Sequence, residues 1–289
     1  MTSQSDTSPA PATGTVETPT SRSARPNRAA NISLVILPPV ILGGAIVAFW
    51  YLVSYVVLDP KRRFLLQPPH EVLKVGFLDW ENFSELLLAL WSSTRVAATG
   101  LGISIVLGFA LATIMSQTKL AERAMFPYLV VLQAIPILAI VPLIQFWFGG
   151  GQTSRVVVCV IISIFPIIVN TLFGLQSAEQ GMHDLFSLHH AGRITRLRKL
   201  MFPAASPAIF AGLRISAGLS VIGAIVGDFF FARGDKGIGQ LMNRFASRLH
   251  GEQLLAAVIL SSALGVAVFL AFGWIQRAAI GKWHEAADK

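Results

Sequence analysis

The chain reads as an all-α polytopic membrane protein with about six transmembrane helices. Hydrophobic residues make up 54% of it and charged residues only 13%, half the roughly 25% charge of an average soluble domain. Several apolar runs reach the roughly 20 residues that a helix needs to cross the hydrocarbon core. The basic residues gather between those runs and at the two ends of the chain. That much apolar sequence does not fit inside one water-soluble core. The net charge of +8 therefore points to membrane flanks and a lipid bilayer, with no nucleic acid partner.

Residues 1–30 are rich in Ser, Thr, Pro and Ala, with Arg22, Arg25 and Arg28 as their only basic residues. Such a segment buries too little surface to order itself, and it is too polar in front for a secretory signal. It is expected to be a disordered cytosolic tail. Residues 31–84 hold the first span, 33–58, and an external connecting segment. Pro38 and Pro39 stand near the start of that span, and Trp50, Tyr51 and Tyr55 suit an interfacial belt at its far end. Pro60, Pro68 and Pro69 break the connection, and 81–91 reads as an amphipathic helix leading into the second span, 96–115.

The third span, 127–148, contains Pro136 and Pro142, which implies a bent element near a pathway. The fourth, 156–175, carries Pro166 and the single Cys159, which reads as a small hydrophobe. The fifth is 207–231 and the sixth 254–275, followed by a cytosolic tail over 277–289.

Six spans place both termini on one side. With the termini inside, the cytosolic side holds twelve basic residues, among them Arg193, Arg196, Arg198 and Lys199, against nine outside. The short-loop cluster 193–199 favours the cytosol. That cluster belongs to a polar island, 181–203, with helical spacing and Pro203 as a stop before the fifth span. A short basic helix between two spans is suited to passing force to a cytosolic partner.

Small residues recur every four positions in two spans, a pattern that lets membrane helices approach closely. They are Ser104, Gly108 and Ala112 in the second span, and Gly212, Ser216, Ser220 and Ala224 in the fifth, followed by Asp228. In the fifth the stripe reads either as packing or, with its hydroxyls and terminal acid, as a pathway face. Asp228 is either a functional carboxylate or an interfacial acid paired with Arg233 or Lys236.

Catalytic signatures are missing. No G-x-x-x-x-G-K-[ST], H-E-x-x-H or G-x-S-x-G occurs. His183, His189 and His190 cluster without Cys or Glu at ligand spacing, so no metal site is expected. Energy for any work must come from a partner or an ion gradient.

The motifs resemble the permease subunit of a binding-protein-dependent ABC importer with the type I transmembrane fold. The nearest group transports nitrate, sulfonates such as taurine, and pyrimidine or riboflavin-like vitamin precursors. The family's cytosolic loop carries Glu-Ala-Ala, three residues, Gly, and later Leu-Pro. Here Asp184 stands at the Glu, Leu185-Phe186 at Ala-Ala, His190 at the Gly followed by Ala191, and Phe202-Pro203 at Leu-Pro. Gly212-Leu213-Arg214, Gly223 through Asp228, and Gly237-Ile238-Gly239 also fit, with Asp228 where the family usually has Glu. The resemblance covers about residues 85–276. It implies a non-catalytic subunit whose cytosolic coupling helix, within 183–202, docks on a separate ATPase chain that holds ATP-Mg; the permease itself needs no cofactor. Asp184 would lie near the start of that helix, and Arg196, Arg198 and Lys199 near its end. It further implies an extracytoplasmic solute-binding protein, a homodimer of permeases and a cell-membrane location. The coupling set is Asp184, His190, Ala191, Arg193, Arg196 and Pro203. The pathway or packing set is Gln133, Pro136, Gln145, Gly212, Ser216, Ser220 and Asp228, with Ser216, Ser220, Gln133 and Gln145 lining a pore. The alternative is a gradient-driven secondary transporter or channel, which would need more mid-membrane charge. A polytopic enzyme would need a nucleophile–base or metal set.

Overall fold

The computed structural model describes residues 28–284. Most of the expected N-terminal tail and the last five residues lie outside that range. Two units are distinguished, residues 1–49 and 50–289. The first contributes the greater part of helix α1 (Arg28–Leu52), which accommodates Pro38 and Pro39 in its interior.

In the second unit, a π turn (Val53–Val57) and a 3₁₀ turn (Pro60–Leu65) lead through α2 (Pro69–Leu73) to α3 (Trp80–Ser116). The start of α3 is set by Asp79, whose side chain accepts a 3.1 Å hydrogen bond from the backbone N–H of Glu81. The amphipathic segment and the second span are thus one helix of 37 residues. Thr118 caps α4 (Lys119–Ala134) in the same way, through the N–H of Ala121.

The expected third span is not a single helix. α4 stops at Ala134, and α5 (Ile137–Phe148) leaves at 98° to it. Pro136 lies at the break, where it cannot donate to a helical ladder and holds Ile135 extended. Pro142 is carried inside α5. Among the described residues, five helices are long and apolar enough to cross a bilayer, or six if α4 and α5 count as one broken span.

α6 (Gln152–Gln176) is followed by α7 (Gln180–Leu188) and then by α8 (Arg193–Arg196), a π turn (Leu197–Met201) and α9 (Phe202–Phe230). α10 (Ile238–Ser247) and α11 (Gly251–His284) complete the unit. No strand occurs among the described residues.

The core is the seam where α9 and α3 pack on α6, and small residues make that seam possible. A Cβ at Gly223 would lie 2.8 Å from Cα of Cys159, and one at Gly227 2.9 Å from Cα of Arg155. Along α3, Ser104 shares a 2.9 Å hydrogen bond with Ser163 of α6, and Gly108 packs against Ile167. With no hydrophobic drive between helices in lipid, close van der Waals approach of this kind holds the bundle together.

Candidate functional site

The polar island folds as two helices. α7 is nine residues long, none of them buried. It begins at Gln180 after Glu179, so Asp184 is central in it and accepts from Gln180 Nε2 at 3.3 Å. The dipole-favourable acid at the helix start is Glu179. The helix closes at His190, whose φ of 49° is left-handed. The N–H of His190 bonds to Ser187 O and that of Ala191 to Phe186 O, both at 3.0 Å. That pair of bonds is the Schellman closure, which favours glycine because a Cβ strains the left-handed residue. The position that the resemblance assigns to Gly thus has a geometric reason to be Gly, and His190 fills it under strain.

Arg196, Arg198 and Lys199 do not end α7: Arg196 belongs to α8, and Arg198 and Lys199 lie in the π turn that follows it. Arg196 Nη2 donates to Ser187 Oγ at 2.9 Å, tying α8 back to α7. Pro203 is not a stop. From Arg193 to Phe230 the chain is one helical rod of 38 residues. The widened turn before Pro203, in which the N–H of Phe202 reaches Leu197 O, absorbs the ring and the missing donor. The apolar side chains Met182 (42% exposed), Leu185 (45%) and Leu188 (77%) form an open ridge on α7.

At the opposite end of the rod, Asp228 is fully buried. Its partner is neither Arg233 nor Lys236 but Arg155 at the start of α6, with Nη1 3.3 Å from Oδ1 and side-chain exposures of 2% and 0%. Oδ2 accepts a short hydrogen bond from Ser93 of α3, whose hydroxyl accepts in turn from the N–H of Ile238 at 2.8 Å. Arg155 also donates to three carbonyls of the following loop: Phe231 (3.1 Å), Asp235 (2.7 Å) and Arg233 (3.0 Å). A Cβ at Gly237 would fall on the Asp228 carboxylate. The cluster therefore locks α3, α6, α9 and the entry to α10 together.

The rest of the pathway set divides. Gly212, Ser216 and Ser220 are buried in the seam. Gly212 lies against Asn170 and the carbonyl of Pro166, and Ser220 donates to Ala217 O at 2.8 Å. Burial inside the subunit takes Ser216 and Ser220 off the lining of any pore. Gln133 on α4, Pro136 at the 98° break and Gln145 on α5 are exposed.

Sequence reasoning missed Arg155 and Ser93. Arg155 counted only as one of nine outer charges. A signal was available: it stands four residues before Cys159 on the α6 face that needs small partners. Among the described residues, no three His, Cys, Asp or Glu side chains gather at a metal-binding distance.

Residues 104–281 match the family described as "Binding-protein-dependent transport system inner membrane component". The chain is 32% identical to the formylaminopyrimidine transport permease protein ThiX of Halalkalibacterium halodurans, over 81% of this chain and 91% of that protein. It is 28% identical to the nitrate import permease protein NrtB of Synechocystis sp., over 81% and 88%. A chain of the methionine ABC transporter MetNI, solved in an inward-facing conformation, shares the fold with a TM-score of 0.61 at 17% identity, covering 69% of this chain and 98% of that one. The chain is therefore a multi-pass membrane protein that belongs to the family of permease subunits of binding-protein-dependent ABC importers.

Proposed function

We propose that two copies of this permease form the path for a small solute and that each docks a separate cytosolic ATPase subunit on α7. The single observation that carries the reading is α7 itself. It is a nine-residue helix between two spans, with no buried residue and an exposed apolar ridge. A ridge of that kind on a short helix closed by a Schellman turn suits a groove on another protein. Met182, Leu185 and Leu188 would enter the groove, with Asp184 beside them. His190 and Ala191 fix the exit of the helix, and Arg193, Arg196 and Pro203 begin the rod that receives its motion. ATP-Mg belongs to the partner, whose nucleotide-dependent closure would rock the bundle between two states.

In this reading the α7 face and both termini are cytosolic in a cell membrane, as the basic cluster at 193–199 favours. Residues 85–276 form the transport domain. An extracytoplasmic binding protein delivers the solute near the loop clamped by Arg155. The solute then passes along the exposed faces of α4 and α5 that carry Gln133, Pro136 and Gln145. Its class follows the relatives, whose names give formylaminopyrimidine, riboflavin, bicarbonate, aliphatic sulfonates and nitrate. A gradient-driven mechanism is disfavoured because Asp228, the acid it would use, is held by Arg155 and Ser93.

The test is a mild-detergent pull-down of the tagged chain, scored for a Walker-motif ATPase and for hydrolysis stimulated by a binding protein. Recovery of both supports the reading. Recovery of the chain alone, as a stable oligomer active in gradient-driven uptake, refutes it.

A further inference from the structure

A second surface feature is independent of α7 docking. Beside the start of α9 opens a cleft of about 600 Å³, walled by Phe109 of α3, Phe202, Pro207 and Phe210 of α9, and Ala279 of α11, with Arg198 at its margin. Its depth in the membrane can be read from the packing. Gly174, two residues before the end of α6, packs on Ala205 and Ala208 of α9. The cleft is thus level with the ends of the spans on the α7 side, where hydrocarbon gives way to headgroups.

The charge described at the cleft itself is basic. Arg198 and the adjacent Lys199 are exposed, and among the described residues neither has an acid within 4 Å. Arg198 precedes Phe202 by one helical turn, so an exposed cation and an aromatic wall lie on one face of the rod. Apolar walls beside a basic margin at the bilayer boundary match one class of molecule. It has a fatty chain on one end and an anionic phosphate on the other.

We infer that this cleft binds an anionic phospholipid from the leaflet on the α7 side. Its acyl chain lies between Phe109, Phe202 and Phe210, and its phosphodiester meets Arg198 and Lys199. Such a lipid would fill the space between α3, α9 and α11 beside the start of α9, and so stiffen the bundle there.

The experiment uses the full chain purified in detergent with whatever subunits copurify. It is titrated with phosphatidylglycerol or with phosphatidylcholine of the same acyl chains. Bound lipid is counted by native mass spectrometry, and the melting temperature is followed in parallel. Phosphatidylglycerol is expected to be retained and to raise Tm by about 5 °C at saturation, with phosphatidylcholine retained far less. Arg198→Gln and, separately, Lys199→Gln should each weaken retention by about fivefold, the loss expected for one basic side chain facing an anionic headgroup. Both side chains are exposed, so the variants should fold. Phe210→Trp fills the cleft without changing charge and should displace the lipid. Equal retention of the two lipids overturns the inference. So does unchanged binding in either glutamine variant or in Phe210→Trp. An equal rise in Tm from inorganic phosphate also overturns it, because a free anion would then suffice.

Discussion

Replacing Arg155 with Leu should be among the most damaging single changes outside the α6–α9 glycines. The side chain is 2% exposed and faces an Asp228 that is not exposed at all. Removing one member of a buried ion pair leaves the other charge uncompensated, which costs about 3–5 kcal/mol. Three loop carbonyls also lose their donor. Side-chain hydrogen bonds inside membrane proteins average only about 0.6 kcal/mol each, so together they account for about 2 kcal/mol. The ion pair is the larger part, and a total of about 3–5 kcal/mol is reasonable because the losses overlap. At about 2–4 °C per kcal/mol for a unit of this size, Tm should fall by about 10 °C. The assay is thermal melting in one detergent, run as a double-mutant cycle with Asp228→Asn. If the pair dominates, Arg155→Leu should cost much less when Asp228 is already neutral, with a coupling of about 1–3 kcal/mol. A coupling near zero, or an Arg155→Leu loss under about 1 kcal/mol, would refute the assignment.

Gly237→Ala drives a methyl into the Asp228 carboxylate and should destabilise by about 1–3 kcal/mol as an overpacked site, seen as a lower Tm. His190→Gly should relieve left-handed strain of about 1 kcal/mol and raise Tm slightly, whereas His190→Val should disrupt the exit of α7 and lower coupled uptake. Leu185→Glu with Leu188→Glu changes only exposed positions on α7, so stability should move by no more than about 0.5 kcal/mol per site. Copurification of an ATPase should nonetheless be lost, and full recovery would remove α7 from the docking surface.

Composition and apolar run length made the helical membrane fold legible, and Pro136 with Pro142 marked the bent element. What escaped depends on partners distant in sequence or on backbone detail. Nothing near Asp228 names Arg155, because the two meet only once α9 has packed on α6 through Gly223 and Gly227. Proximity in sequence pointed instead to Arg233, whose carbonyl, not its charge, is used. The island read as one helix ending at Pro203 because a left-handed histidine leaves no signature of the kind a glycine would. A π turn likewise lets a proline sit inside a helix that periodicity alone would end. The stripe of Ser216 and Ser220 had the right spacing for either role, and only burial separates packing from lining.

The helix that starts at Arg193 has a mechanical consequence. At 1.5 Å per residue, 38 residues extend about 57 Å, nearly twice the roughly 30 Å of hydrocarbon. Under the proposed coupling it would act as a lever with one arm outside the oily layer. A tilt of about 5° about its midpoint would swing each tip by about 2.5 Å. The far tip is bolted to three other helices through Asp228, so under the proposed coupling a displacement near α7 would be handed on to them as a turning moment. The compliant points on the near side are the four-residue bend after Leu188 and the widened turn ahead of Pro203. Stiffening either one should therefore alter the timing of opening before it alters what is carried.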